Sequence, residues 1–144
     1  MESSTRLRIY ADFNGLVAGV VDPMRAAVVL DTFGSIQDLS NAGTVLSVGL
    51  PLVAYDESDD TEDLEGHGTA QYDHKRQWWV VEFDGQGVRY VPGAGQKSGG
   101  AFHCVLCRLV IDGVAYDNIG KPGFRCTSCG TSVLAAIAPP NVAT

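Results

Sequence analysis

Cys104-Val105-Leu106-Cys107 and, after eighteen intervening residues, Cys126-Thr127-Ser128-Cys129-Gly130 contain all four cysteines of this 144-residue chain. Each Cys-x-x-Cys pair can turn as a tight knuckle that offers two thiolates, and two such pairs complete the tetrahedral shell of one zinc ion. A pair of disulfides is the competing reading, but sulfurs two residues apart make strained bridges and nothing else in the chain suggests secretion. The expected cofactor is therefore one structural Zn2+ on Cys104, Cys107, Cys126 and Cys129. Four thiolates leave no open position for water or substrate, so the ion is expected to hold a fold together and not to catalyse.

Working outward, Gly93 to Gly100 is rich in glycine and serine and reads as a flexible linker. It divides the chain into a β-rich unit at 1–92, a linker at 93–101, a metal module at 102–140 and a loose tail at 141–144. Whether the two units pack together is left open. A module of roughly 35 residues buries too little surface to fold alone, so metal binding and folding are one event there. On that basis Cys126→Ser is expected to unfold the module and leave the β unit standing.

The N-terminal unit reads as short strands. Leu7, Ile9, Ala11 and Phe13 alternate with Arg6, Arg8, Tyr10 and Asp12, and Asn14-Gly15 predicts a hairpin into a return strand at 16–21. Further strands are expected at 26–32, 50–56, 66–73, 78–83 and 88–91, the last two separated by a turn at Asp84-Gly85-Gln86-Gly87. One short helix is expected at 35–41, with Ser35 as N-cap and Gly43 past its end. Such strands with hairpin turns predict a small antiparallel barrel, closed to avoid open edges.

Residues 50–92, with the phrases Gly68-Thr69-Ala70-Gln71-Tyr72-Asp73 and Trp78-Trp79-Val80-Val81-Glu82-Phe83, resemble an SH3-like or Tudor-like barrel. An OB-like barrel or a translation-factor barrel would show similar strands. Phe102 to Ala138 resembles the zinc ribbon family. That resemblance implies a knuckle at Cys104 and Cys107, strands at 108–111 and 114–116, a second knuckle at Cys126 and Cys129, and a last strand at 133–137. Gly130 fits the positive φ of the second knuckle; Arg108 stands where the family commonly has a small residue. His103 adjoins the site without being needed as a ligand.

The formal charge of −7 comes entirely from seven carboxylates between Asp56 and Glu65. Their spacing does not fit a calcium-binding loop, and the run reads as a solvated loop. A chain of this charge has no bulk attraction to nucleic acid. Trp78 and Trp79 are neighbours on one strand, so one points inward and one outward. The outward ring, with Tyr72 or Tyr90, is a candidate binding platform, and Arg108 and Arg125 are candidate contacts beside the knuckles. His67 and His74 read as surface histidines. Asp12, Asn14 and Asp31 lie near strand ends, where such residues ordinarily form turns.

The expectation is a cytoplasmic, non-catalytic, zinc-binding adaptor that binds a protein partner, with no signal peptide and no membrane segment. Nucleic-acid binding through the ribbon and an exposed aromatic face is the alternative, and a metal-dependent enzyme the third reading.

Overall fold

The computed structural model describes residues 6–57, 62–92, 101–114 and 125–140. Residues 93–100 of the expected linker at 93–101, the expected strand at 114–116 beyond Val114, and the tail at 141–144 lie outside the described residues. The described part is mainly β with one short helix.

Strands β1 (Leu7–Tyr10), β2 (Leu16–Ala18), β3 (Ala26–Val29), β4 (Pro51–Glu57), β5 (Glu62–Asp73) and β6 (Trp78–Pro92) form one sheet in the order β1-β4-β5-β6-β3-β2. The sheet is mixed: β1 runs parallel to β4, Leu7 opposite Leu52, and every other neighbouring pair is antiparallel. Among the described residues no ladder joins β1 to β2, so the sheet ends in two edges where closure into a barrel was expected.

The Asn14-Gly15 hairpin does not form. Asp12 accepts the Asn14 N–H, Phe13–Gly15 makes one 3-10 turn, and the buried Phe13 ring packs 5.6 Å from Phe83. Burial of Phe13 outweighs the local turn preference, and β1 is left to pair with a strand far along the chain. Strand β6 is assigned through to Pro92, but its ladder with β5 breaks where the turn was expected: Gly68 faces Phe83 and Gly66 faces Val88, which leaves residues 84–87 of β6 outside the register, with Gly87 at a φ of 70°.

The core face of the sheet carries Ile9, Val28, Leu52, Ala54, Ala70, Tyr72, Trp79, Val81 and Phe83. Helix α1 (Phe33–Asn41) covers one side of it. Its N-cap is Thr32, three residues before the expected Ser35, and the Thr32 hydroxyl accepts the Ser35 N–H at 3.1 Å. Ser35 and Asp38 instead close the outer edge of β1: Ser35 Oγ donates to the Tyr10 carbonyl, and Asp38 accepts the Tyr10 N–H at 3.0 Å. Leu39 of α1 belongs to the sheet core, and Ile36 belongs to a second apolar cluster with Phe102, Cys104, Ile111, Cys126 and Val133. The helix is thus held between the sheet and the cysteine module.

The two parts share more than the helix. Val105 and Ala136, both C-terminal to the expected linker, are buried in the sheet's core. The Trp79 indole N–H donates to the Ala138 carbonyl at 2.9 Å, and the Leu46 N–H to the Ala136 carbonyl at 2.9 Å.

Candidate metal centre

Each knuckle is the bend of a minimal antiparallel pair. Strand β7 (Phe102–His103) pairs with β8 (Val110–Ile111) around the first, and a bridge between Arg125 and Ser132 closes the second. The backbone bonds match position by position. Cys104 N–H donates to Leu109 O and Cys126 N–H to Thr131 O, both at 2.8 Å; Arg108 N–H donates to Cys104 O at 3.1 Å and Gly130 N–H to Cys126 O at 2.9 Å. The residue after each second cysteine has positive φ, 73° at Arg108 and 80° at Gly130. Glycine meets that requirement freely, whereas arginine carries a steric cost.

Arg108 nevertheless completes the same turn, and its side chain has a further use. The guanidinium donates to Ser40 O at 3.2 Å and Asn41 O at 2.8 Å, two carbonyls at the C-terminal end of α1. There it adds donors at the last carbonyls of the helix, of which Ser40 O also accepts the Gly43 N–H at 3.0 Å, and complements the negative end of the helix dipole. Asn41 fixes the approach of β7, donating from Nδ2 to Ala101 O at 3.0 Å and accepting the His103 N–H on Oδ1 at 2.7 Å. His103 Nδ1 also lies 3.2 Å from that oxygen, so the imidazole faces the helix end and is not in the cysteine cluster.

The four sulfurs converge. Cys104 Sγ is 3.5 Å from Cys129 Sγ, Cys107 Sγ is 3.6 Å from Cys126 Sγ, and all four lie within 4.8 Å of one another. A tetrahedral ion with metal–sulfur bonds of about 2.3 Å needs sulfurs about 3.8 Å apart, which this cluster provides without rearrangement. All four cysteines are free of disulfides. Cys104 and Cys126 are buried, Cys107 is half-buried and Cys129 exposed, so the cluster has one wall in the core and one at the surface.

Amide donors prepare these sulfurs for negative charge. Cys107 N–H points to Cys104 Sγ at 3.5 Å and Ser128 N–H to Cys126 Sγ at 3.4 Å. The Thr131 hydroxyl and N–H draw the Cys129 thiol down to about 6. Leu109 N–H acts the same way on Cys107, but burial and the three neighbouring sulfurs override it and push that thiol up to about 12. Four thiols packed this closely cannot all ionise unless a cation sits among them, and a divalent ion supplies that charge.

Comparison with protein-family models, curated proteins and solved structures finds no match for this chain. The site therefore rests on its own geometry, a four-cysteine cluster able to hold a metal ion.

The other candidate residues are dispersed. Trp79 and Tyr72 are buried, with rings 5.3 Å apart, and Trp79 fastens the C-terminal segment. Trp78 is the more exposed tryptophan, with Arg76 stacked 5.6 Å over it, and the exposed Tyr90 lies far along β6 opposite Leu64. Trp78, Tyr72 and Tyr90 do not form one platform. Arg125 donates to Gly130 O at 3.0 Å within its own knuckle. His74 packs against Tyr72, and His67 lies 3.5 Å from Glu65.

The acidic run is not a wholly solvated loop. Asp56 lies in β4, one residue before its end, and accepts the Phe13 N–H at 3.0 Å. Asp63 and Glu65 lie within β5, where both meet Arg8, whose guanidinium also stacks 4.6 Å from the Tyr55 ring centre. Sequence reading also missed Glu82. This buried carboxylate accepts the N–H groups of Val20, Val21 and Asp22 at 2.5, 2.8 and 2.8 Å and so shapes the β2–β3 turn. A Cβ at Gly19 would lie 2.4 Å from the Asp22 carbonyl oxygen and 2.6 Å from the carboxyl carbon of Glu82, and the backbone clash explains the glycine. An isolated Glu amid strand residues gives no sign of such a partner in another element.

Proposed function

We propose that the chain is a non-catalytic adaptor stapled by one structural Zn2+, held by Cys104, Cys107, Cys126 and Cys129, and that it works by binding a protein partner. In this reading the C-terminal part is a module of zinc-ribbon type, the N-terminal part a small SH3-like unit, and the protein works in the reducing cytoplasm, where the thiolates persist.

The observation that carries the reading is the convergence of four sulfurs, with no other donor among the described residues, into one cluster whose inner wall is part of the hydrophobic core. A shell of four thiolates binds zinc in preference to harder cations and has no place for a substrate, so the ion's contribution is to folding. Around it, Arg108 and Arg125 are engaged with backbone carbonyls, which favours a structural role for the charges beside the knuckles.

Elemental analysis of the purified chain is expected to give one zinc per chain, lost together with fold on chelation. Cross-linking in the native host should trap one protein with the intact chain and not with Cys126→Ser. A stoichiometry above one, or a reaction abolished by chelator, would favour an enzyme. Binding to nucleic acid that weakens steeply between two salt concentrations would favour the nucleic-acid reading.

A further inference from the structure

The two edges of the sheet differ. At β1 the outward N–H and C=O of Tyr10 are taken by Asp38 and Ser35 of α1. Among the described residues the β2 edge has no such cover. Leu30 N–H donates to Trp79 O, so in β3 the even-numbered residues bond to β6 and Ala27 turns its backbone groups toward Val17 of β2. The bond from Gly19 N–H to Arg25 O fixes the same alternation. The N–H and C=O of Leu16 and Ala18 therefore point away from the sheet, where no further strand lies among the described residues. Leu16 to Val21 carry no charge, no proline and no lysine, the devices that ordinarily guard an edge.

Beside this edge is a groove of about 340 Å3 lined by Asp12, Leu16, Val17, Val29, Asp31 and Trp78, among others. Leu16 is 50% exposed. Asp12 and Asp31 give the groove two carboxylates, and no cation lines it. Asp12 uses one oxygen on Asn14 N–H; Asp31 has no ion pair among the described residues. The Trp78 indole N–H is buried with no acceptor among the described residues. Arg76, stacked over that ring, is drawn toward Asp73 at 4.0 Å and is not among the lining residues.

We propose that this edge and groove bind an extended, basic segment of the partner protein, which adds a strand to β2 and places a lysine or arginine between Asp12 and Asp31. The inference rests on the adaptor reading above and gives the partner's chemistry. Strand addition uses the outward backbone groups of Leu16 and Ala18 for affinity and the alternate side chains for specificity. A peptide carbonyl supplies the acceptor that the Trp78 indole lacks, and the paired carboxylates select a cation.

The test uses the metal-loaded full chain, with a peptide of about ten alternating lysines and valines, and the same peptide with glutamates for lysines. Amide shift changes are expected at Leu16 to Ala18 and at the Trp78 indole, with the basic peptide only. Asp12→Asn with Asp31→Asn keeps the Asp12 turn and is expected to weaken binding about tenfold. Leu16→Lys, which guards the edge, is expected to abolish it; should that variant fail to fold, the aspartate pair decides. Shifts confined to Asp56–Glu65, equal binding of the acidic peptide, binding insensitive to the aspartates, no binding at all, or β2 occupied by a second copy in sedimentation would each overturn the proposal. None of these bears on zinc stoichiometry or the cross-linked partner, so the adaptor reading fails or stands separately.

Discussion

At Arg108 the backbone φ of 73° and the bonds to Ser40 and Asn41 act in opposite directions on stability. Arg108→Ala keeps the unfavourable backbone and loses both bonds, a cost of about 1–2 kcal/mol. Arg108→Gly loses the same bonds and relieves the backbone, so it should be about 1 kcal/mol more stable than the alanine variant. Chemical denaturation of the two proteins side by side measures this difference, and equal midpoints would refute it. Glu82→Gln leaves one acceptor oxygen for the amides of Val20, Val21 and Asp22, and should cost on the order of 1–3 kcal/mol. Faster hydrogen exchange confined to those amides is the expected signature.

Asp38 is the residue with a pH signature. Burial holds its carboxyl above the ordinary carboxylate range, against the pull of Tyr10 N–H, Tyr55 O–H and the Arg8 charge. A value raised on folding means that the group's stabilising contribution is complete below the unfolded-state pKa and is lost as pH rises through the folded-state value. Asp38→Asn removes that loss and retains one oxygen for Tyr10 and Tyr55, which both bond to the same atom of Asp38. The variant should therefore gain on the wild type, in urea midpoint, as pH rises from acid to neutral; a gap that does not change with pH would contradict it.

At the scale of elements, the metal module and the sheet are coupled through α1, Val105 and Ala136. The expectation that Cys126→Ser spares the β unit is revised accordingly. Chelation or Cys126→Ser should lower the thermal midpoint of the whole chain in one transition and alter Trp79 fluorescence, since Trp79 is bonded to Ala138. A sheet that melts unchanged after chelation would show that the shared core contributes little.

The same scale shows what the sequence could reveal. The four cysteines were legible because a metal shell demands fixed residue types at short fixed spacing. Strands such as β5 were legible because one buried face imposes alternation, seen from Gly68 to Asp73. Asn14-Gly15 misled, since a hairpin preference worth little was overruled by burial of Phe13. Residues 135–137 read as a strand but form a 3-10 turn, because the backbone of this segment bonds to Leu46 and Trp79 from other parts of the chain. Glu82, Asp38 and Arg108 act across elements distant in sequence, and no local pattern marks them.

For the whole molecule, the charge is arranged and not merely large. Arg8 ties Asp63 and Glu65 into the sheet, and Asp12 and Asp31 face one groove. Among the described residues no helix is long and apolar enough to cross a membrane.

The parallel pairing of β1 with β4 has a kinetic consequence. The β5–β6 hairpin joins neighbours in the chain and can close early, but Leu7 must wait for Leu52, and Cys104 for Cys126. Contacts between distant segments are slow to form because chain entropy is lost before they stabilise anything. The β2–β3 hairpin is local and can close before them, so its uncharged outer edge from Leu16 to Val21 is already present on chains whose β1 and cysteine cluster are not yet in place, and the yield of refolded protein is expected to fall as chain concentration rises.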